Sequence, residues 1–147
     1  MTGDTRTSFK LAFAQLNPVV GDIEGNLDMA RKARASLGKA DADLIVFTEL
    51  YLTGYPLEDL VLKPALQLAA REACQALARE TADGGPALLM GLPWGEGDAV
   101  YNAVAHLAEG RIEARRYKVI LTNYGEFDEK RVFASGPSPA PIEFRGL

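Results

Sequence analysis

An α/β fold with a mixed sheet is predicted by three features of this 147-residue chain. Short apolar runs rich in β-branched residues alternate with segments of helical periodicity, the pattern of strands joined by helices. Two alternating segments then meet at Glu109 and Gly110, as the arms of a hairpin do. Turn-forming clusters such as "DGGP" and "GPSPAP" separate the elements.

"FKLAFAQ", Phe9 to Gln15, sets Phe9, Leu11 and Phe13 against Lys10, Ala12 and Ala14 and reads as the first strand. Asn26 is placed to cap a helix over about residues 27–37, in which Leu27, Ala30, Ala33 and Leu37 recur at helical spacing; Gly38 suits its C-terminal cap. "DLIVF", Asp43 to Phe47, is too short for a helix and has no polar alternation. It reads as a strand buried on both faces, with Glu49 at its C-terminal end. "LEDLVLKPA" and "LQLAAREACQALARE" read as helical, with Pro64 marking a break or kink. In the second piece Leu66, Ala69, Ala70, Ala73, Cys74, Leu77 and Ala78 form one apolar stripe.

"ALLMGLP", Ala87 to Pro93, reads as another buried strand, and the hairpin then runs from Tyr101 to near Lys118. A long connection with turn signals follows, and "IEFRGL", Ile142 to Leu147, is expected to start a further strand. Residues 1–8 read as a flexible polar tail and residues 9–147 as one unit. Because the chain stops where a strand begins, that unit is expected to be the N-terminal portion of a larger domain.

Hydrophobic residues make up 48% and charged residues 24%, which excludes a disordered chain or a membrane bundle. Net charge is −4 and the basic residues are scattered apart from Arg115, Arg116 and Lys118, so nucleic acid is not an expected partner. The polar opening lacks the apolar core of a secretory signal. No apolar run approaches the ~20 residues of a membrane span. A single cysteine, Cys74, allows no internal disulfide and fits the reducing cytoplasm, the expected location.

Ligands of open α/β sheets collect beyond the carboxyl ends of the strands. Glu49 and Lys118 both fall there. A carboxylate at such a site can move protons, and an ammonium can stabilise negative charge on a substrate oxygen, so the pair suggests acyl-transfer or proton-transfer chemistry. Position alone leaves open that each is a solvated or ion-paired surface group. Gly91, Gly95 and Gly97 in "GLPWGEG" have neither the spacing nor the strand-to-helix context of a dinucleotide loop. His, Cys and acidic residues show no metal-ligand spacing. His106, inside an alternating strand, reads as structural.

"KLAFAQLNPVVGDIEGN", "FTELYLTGYPLEDL" and "RRYKVILTNYGEFDEKRVFASG" together resemble the nitrilase (carbon-nitrogen hydrolase) superfamily. More narrowly, they are similar to the N-terminal glutaminase domains of glutamine-dependent NAD synthetases. The resemblance covers nearly all of residues 9–147. It implies an α-β-β-α sandwich with mixed sheets, here incomplete at the C-terminal end. It also implies a Glu-Lys-Cys triad whose first two members match Glu49 as general base and Lys118 as oxyanion stabiliser, with Glu129 as a supporting carboxylate. Tyr55, Tyr124 and Phe127 match aromatic positions that line the glutamine pocket; each is equally compatible with core packing.

The triad's cysteine should follow Lys118 by about fifty residues, which places it beyond Leu147. Cys74, upstream and within an apolar helical stripe, reads as a packing residue. The chain alone is therefore expected to be inactive. The resemblance further implies L-glutamine as substrate and a separate synthetase domain as ammonia acceptor. No cofactor is expected in this chain, ATP and magnesium belonging to the synthetase domain, and a homo-oligomer is expected. A stand-alone amidase and a non-catalytic assembly module of the same fold remain open alternatives.

Overall fold

A computed structural model describes residues 8–146. Five strands form one mixed sheet in sequential order: β1 (Leu11–Ala14), β2 (Leu44–Phe47), β3 (Ala87–Glu96), β4 (Ala99–Ala108) and β5 (Arg111–Tyr117). The first three are parallel, and β3, β4 and β5 are successively antiparallel. Parallel neighbours need crossover connections, and the helices supply them. Helix α1 (Ile23–Lys39) joins β1 to β2, and α2 (Pro64–Glu80) lies between β2 and β3.

Both helices contribute to one core. Leu27 and Ala30 of α1 and Ala70, Cys74 and Leu77 of α2 pack with Ile45, Phe47, Leu88, Met90 and Leu92 of the sheet. Removing each large side chain of this set from water contributes about 1.5–3 kcal/mol. Arg34 of α1 is nearly buried and donates through both terminal nitrogens to Asp83, at 2.9 and 2.7 Å, tying α1 to the 3-10 turn Thr81–Asp83 that follows α2.

Several expectations are corrected. The first strand is shorter than Phe9 to Gln15, and its large residues Leu11 and Phe13 are exposed while Ala12 and Ala14 face the helices. Helix α1 begins four residues before Leu27, capped by the Asp22 carboxylate, which accepts from the Gly25 N–H at 3.0 Å. Asn26, the expected cap, is instead wholly buried and bonds Val19 and the Leu52 carbonyl. Gly38 lies inside the helix, and Ala40 is the cap residue.

Of the break or kink expected at Pro64 the structure has the break: Pro64 opens α2 at its first turn, where its missing N–H costs nothing. The preceding "EDLVL" is a short 3-10 helix, Glu58–Leu62. Strand β2 is buried at Ile45 and Phe47 but only half-buried at Leu44 and Val46, so it is not closed on both faces. Strand β3 runs past Pro93 to Glu96, making a second hairpin with β4.

The strand expected at the end of the chain is not present among the described residues. Ile142 to Gly146 is coil ending in a turn; Phe144 packs edge-on against Phe9 and His106, and Arg145 bonds Asp43 at 2.7 Å. Side-chain anchoring replaces ladder pairing here. Leu147, like most of the expected tail at 1–8, lies outside the described residues. No described helix is long and apolar enough to cross a membrane.

Candidate active site

Four pieces of chain meet beyond the C-terminal end of β2. The first is the elbow that follows Phe47. Leu50, completely buried, takes a left-handed φ of 50°, and the Leu52 N–H donates to the Gly91 carbonyl at 3.1 Å. The elbow lies flat on β3 because position 91 has no side chain: a Cβ there would stand 2.4 Å from the Thr48 oxygen. Gly54 serves the same end of the turn, since a Cβ there would stand 2.7 Å from the Val20 backbone. Glu49 is thus projected from a backbone fixed on both sides.

The second piece is Asn102 on β4, and the third is Lys118, one residue past β5. The Lys118 N–H donates to the Asn102 carbonyl at 2.8 Å, and the Lys118 carbonyl accepts from Gly136 at 2.9 Å. The fourth is Glu129, which opens a short 3-10 helix, Glu129–Arg131. Its N–H donates to the Thr122 carbonyl at 3.0 Å.

Lys118 Nζ lies 2.8 Å from Glu49 Oε1, 3.1 and 2.9 Å from the two oxygens of Glu129, and 3.2 Å from Thr122 Oγ1. An ammonium has three protons, and three residues accept them. Glu129 is 5% exposed and also accepts from the Thr122 N–H at 2.7 Å. Asn102 Nδ2 donates to Glu49 Oε1 at 2.6 Å and more loosely to Glu129 Oε1 at 3.3 Å. Among the described residues Glu49 receives hydrogen bonds only at Oε1.

Burial works to lower the Lys118 pKa, but its hydrogen bonds to Glu49 and Glu129 outweigh burial and hold it above the ordinary lysine value. For Glu129 burial works upward, and the Lys118 ammonium and the Thr122 N–H together pull the carboxyl below its usual range. Both groups are therefore charged at neutral pH. Burial, then the negative charge of Glu129 and Glu49, raises the Tyr55 phenol.

The cluster stands between two hollows. One, of about 320 Å³, is lined by Leu50, Tyr55, Leu57, Phe127, Glu129 and Arg131 among others. The other, of about 370 Å³, is lined by Phe47, Glu49, Gly91, Asn102, Val104 and Lys118 among others. Of the three aromatics singled out in the sequence, Tyr55 and Phe127 line the first hollow, with ring centres 6.3 Å apart. Tyr124 is 73% exposed and packs edge-on to Phe127 at 5.9 Å without lining it.

Cys74 is fully buried in the packing of α2 on the sheet, and burial pushes its thiol up to about 12 against a small opposing effect of Arg115. A thiol so protonated is no nucleophile. His106 is buried against Phe144 with neither ring nitrogen bonded among the described residues. No group of three His, Cys, Asp or Glu among the described residues could hold a metal ion. Asn102 and Thr122 were not anticipated. The signal for Asn102 was available: an amide in the middle of the apolar strand "AVYNAVAHLA" must find partners if it is buried.

A carboxylate and an ammonium in contact, beside a partly apolar hollow at the end of a mixed sheet, have the chemistry to move a proton and to stabilise a developing anion. Over residues 10–146 the sequence matches the carbon-nitrogen hydrolase family, and the chain belongs to that family. It is 42% identical over 134 residues to the glutamine-dependent NAD(+) synthetase of Rhodobacter capsulatus, covering 91% of this chain and 24% of that protein. The glutamine-dependent NAD+ synthetase of Acinetobacter baumannii, solved in complex with ADP, superposes with a TM-score of 0.87 at 35% identity, over 94% of this chain and 26% of that one. An amidase variant from Nesterenkonia sp., carrying the acetamide moiety of fluoroacetamide covalently at its active-site cysteine, superposes with a TM-score of 0.79 at 29% identity, over 94% of this chain and 52% of that one. The chain spans about a quarter of the length of the curated relatives it matches.

Proposed function

We propose that this segment is the N-terminal part of a glutaminase domain, which hydrolyses the side-chain amide of L-glutamine and passes ammonia to an ATP-dependent synthetase that amidates deamido-NAD. The observation that carries the reading is the contact of Lys118 Nζ with Glu49 Oε1 at 2.8 Å, within a segment similar to the start of glutamine-dependent NAD synthetases.

In the reaction, Glu49 takes the proton of a cysteine thiol supplied from outside these residues, and the thiolate attacks the amide carbon. Lys118 stabilises the tetrahedral oxyanion, with Glu129 holding the ammonium in place. Glu49 returns the proton to the departing nitrogen, so that ammonia leaves and a thioester remains. Water then attacks the thioester carbon, again giving its proton to Glu49; glutamate is released and the thiol is re-formed. Tyr55 and Phe127 would form an apolar wall for the glutamine side chain, with Tyr124 outside them.

This chemistry asks for no metal or cofactor from these residues; ATP and magnesium would act in the synthetase domain. A cytoplasmic homo-oligomer is the expected form. The likeness to the Nesterenkonia amidase supports a second reading, hydrolysis of a small aliphatic amide without an ammonia acceptor. The test is ammonia release from glutamine and from acetamide by the full-length protein carrying this segment and by its Glu49→Gln variant. Glutamine turnover abolished by the substitution supports the first reading, and acetamide turnover alone supports the second. Glutamine turnover indifferent to Glu49 overturns the site.

A further inference from the structure

We propose that Asn102 is a positioning residue for the base: it occupies Oε1 of Glu49 and so leaves Oε2 as the atom that moves the proton. The inference rests on the reading of Glu49 as general base.

Asn102 is 5% exposed in the interior of β4, where an amide is costly unless its hydrogen bonds are made. Its two neighbours are carboxylates, which accept but do not donate when ionised, so the NH2 end of the amide must face them. Its two N–H bonds then go to Glu49 Oε1 at 2.6 Å and Glu129 Oε1 at 3.3 Å. The same Glu49 oxygen takes Lys118 at 2.8 Å, so both donors converge on one atom, while the side chain as a whole is 46% exposed. Oε2 is the oxygen left to face a reacting group.

The choice of an amide has a chemical consequence. Glu49, Glu129 and Lys118 together carry one net negative charge when all are ionised. A second cation at position 102 would hold Glu49 as firmly but would favour the ionised carboxylate through its positive charge as well as its hydrogen bond, making it a poorer base. A neutral donor fixes the oxygen while leaving the carboxylate able to accept a proton. Asn102 also sets the cation, since its carbonyl takes the Lys118 N–H at 2.8 Å. One residue thereby registers base and ammonium to each other, the backbone fixing one and the side chain the other.

The test uses the full-length protein with Asn102→Leu, which removes both donors at similar volume, and Asn102→Asp, which keeps the shape and adds a third carboxylate. Both should lower kcat for glutamine by about tenfold or more with KM changed by less than about threefold. The acidic limb of the kcat profile should move to higher pH in both, and further in Asn102→Asp, because Glu49 loses a donor in one and gains a like charge in the other. An unmoved limb in both variants, or a loss of kcat matched by the loss of folded protein, overturns the proposal. Glu49→Gln run alongside separates the two readings. If it abolishes turnover while the Asn102 variants keep the parental profile, only the role of Asn102 fails; if it retains turnover, the role of Glu49 and with it that of Asn102 both fail.

Discussion

Gly91 on β3 lies against the main chain of Leu50: a Cβ at position 91 would come within 2.6 Å of the Leu50 nitrogen. Backbone cannot swing aside as a flexible side chain can, so Gly91→Ala must push the elbow off the sheet or distort β3. Overpacking of this kind costs about 1–3 kcal/mol. The elbow carries Glu49, so in the full-length protein the variant should lose glutamine turnover by more than its stability loss explains. Denaturant melts and kcat on the same preparation check this, and full activity in a destabilised variant would count against the elbow as the positioning device.

Lys118 separates two carboxylates. In Lys118→Ala, Glu49 and Glu129 would share the amide of Asn102 with no cation between them, and one should bind a proton well above the ordinary carboxyl range. On the proposed mechanism Lys118 is the oxyanion donor, and its loss should lower kcat by about 10²–10³-fold. Carboxyl carbon shifts followed through a pH titration report the first effect, and ammonia release reports the second. Two carboxyls titrating normally in the variant would show that they are not held together as the structure places them.

The elements that sequence patterning located well are those whose period reflects burial. The stripe from Leu66 to Ala78 faces the core as read, and the turn at Glu109 and Gly110 joins β4 to β5. Caps were less legible, because Asp22 and Asn26 are both good cap residues and only the loop at Val19 and the elbow at Leu52 decide that Asn26 is drawn inward. The last segment failed for a related reason. "IEFRGL" alternates like a strand, yet Phe144 and Arg145 are held by Phe9, His106 and Asp43 rather than by a neighbouring strand. At the site, Glu49 and Lys118 were paired by their predicted places at the carboxyl ends of strands; the family resemblance supplied their separate roles and added Glu129. The sequence marks Asn102 only as an amide within an apolar strand, and the identity of its partners depends on the β4–β5 register.

The ion cluster should leave a mark on stability with a defined sign. Glu129 has its carboxyl pKa depressed in the folded protein, so its contribution is present above the unfolded carboxyl value of about 4.3 and is lost as pH falls through the folded value. Lys118 is shifted upward, so its contribution is complete below about 10.4 and fades only as pH rises through its still higher folded value. The stability difference between the parent and Glu129→Gln should therefore be constant between about pH 6 and 9 and should shrink below about pH 4.3. Urea midpoints across that range measure it. A difference that grows on acidification would reverse the assigned direction of the Glu129 shift.

Cys74 gives the sharpest separation between packing and chemistry, because it is the only thiol in the sequence. It sits at zero exposure between α2 and the sheet with its pKa pushed up to about 12, so at neutral pH it is neither accessible nor ionised. Cys74→Ala should cost about 1 kcal/mol through the small void it leaves. Glutamine turnover by the full-length protein should be unchanged once the folded fraction is matched. In the unsubstituted 147-residue chain, thiol reagents should label Cys74 only as fast as the protein opens, with denaturant raising the rate. The same chain should release no ammonia from glutamine, since a base and an oxyanion donor cannot form a thioester without a reactive thiol. Rapid labelling in the absence of denaturant, or ammonia release that disappears in Cys74→Ala, would make Cys74 the nucleophile and would require α2 to move away from the sheet during turnover.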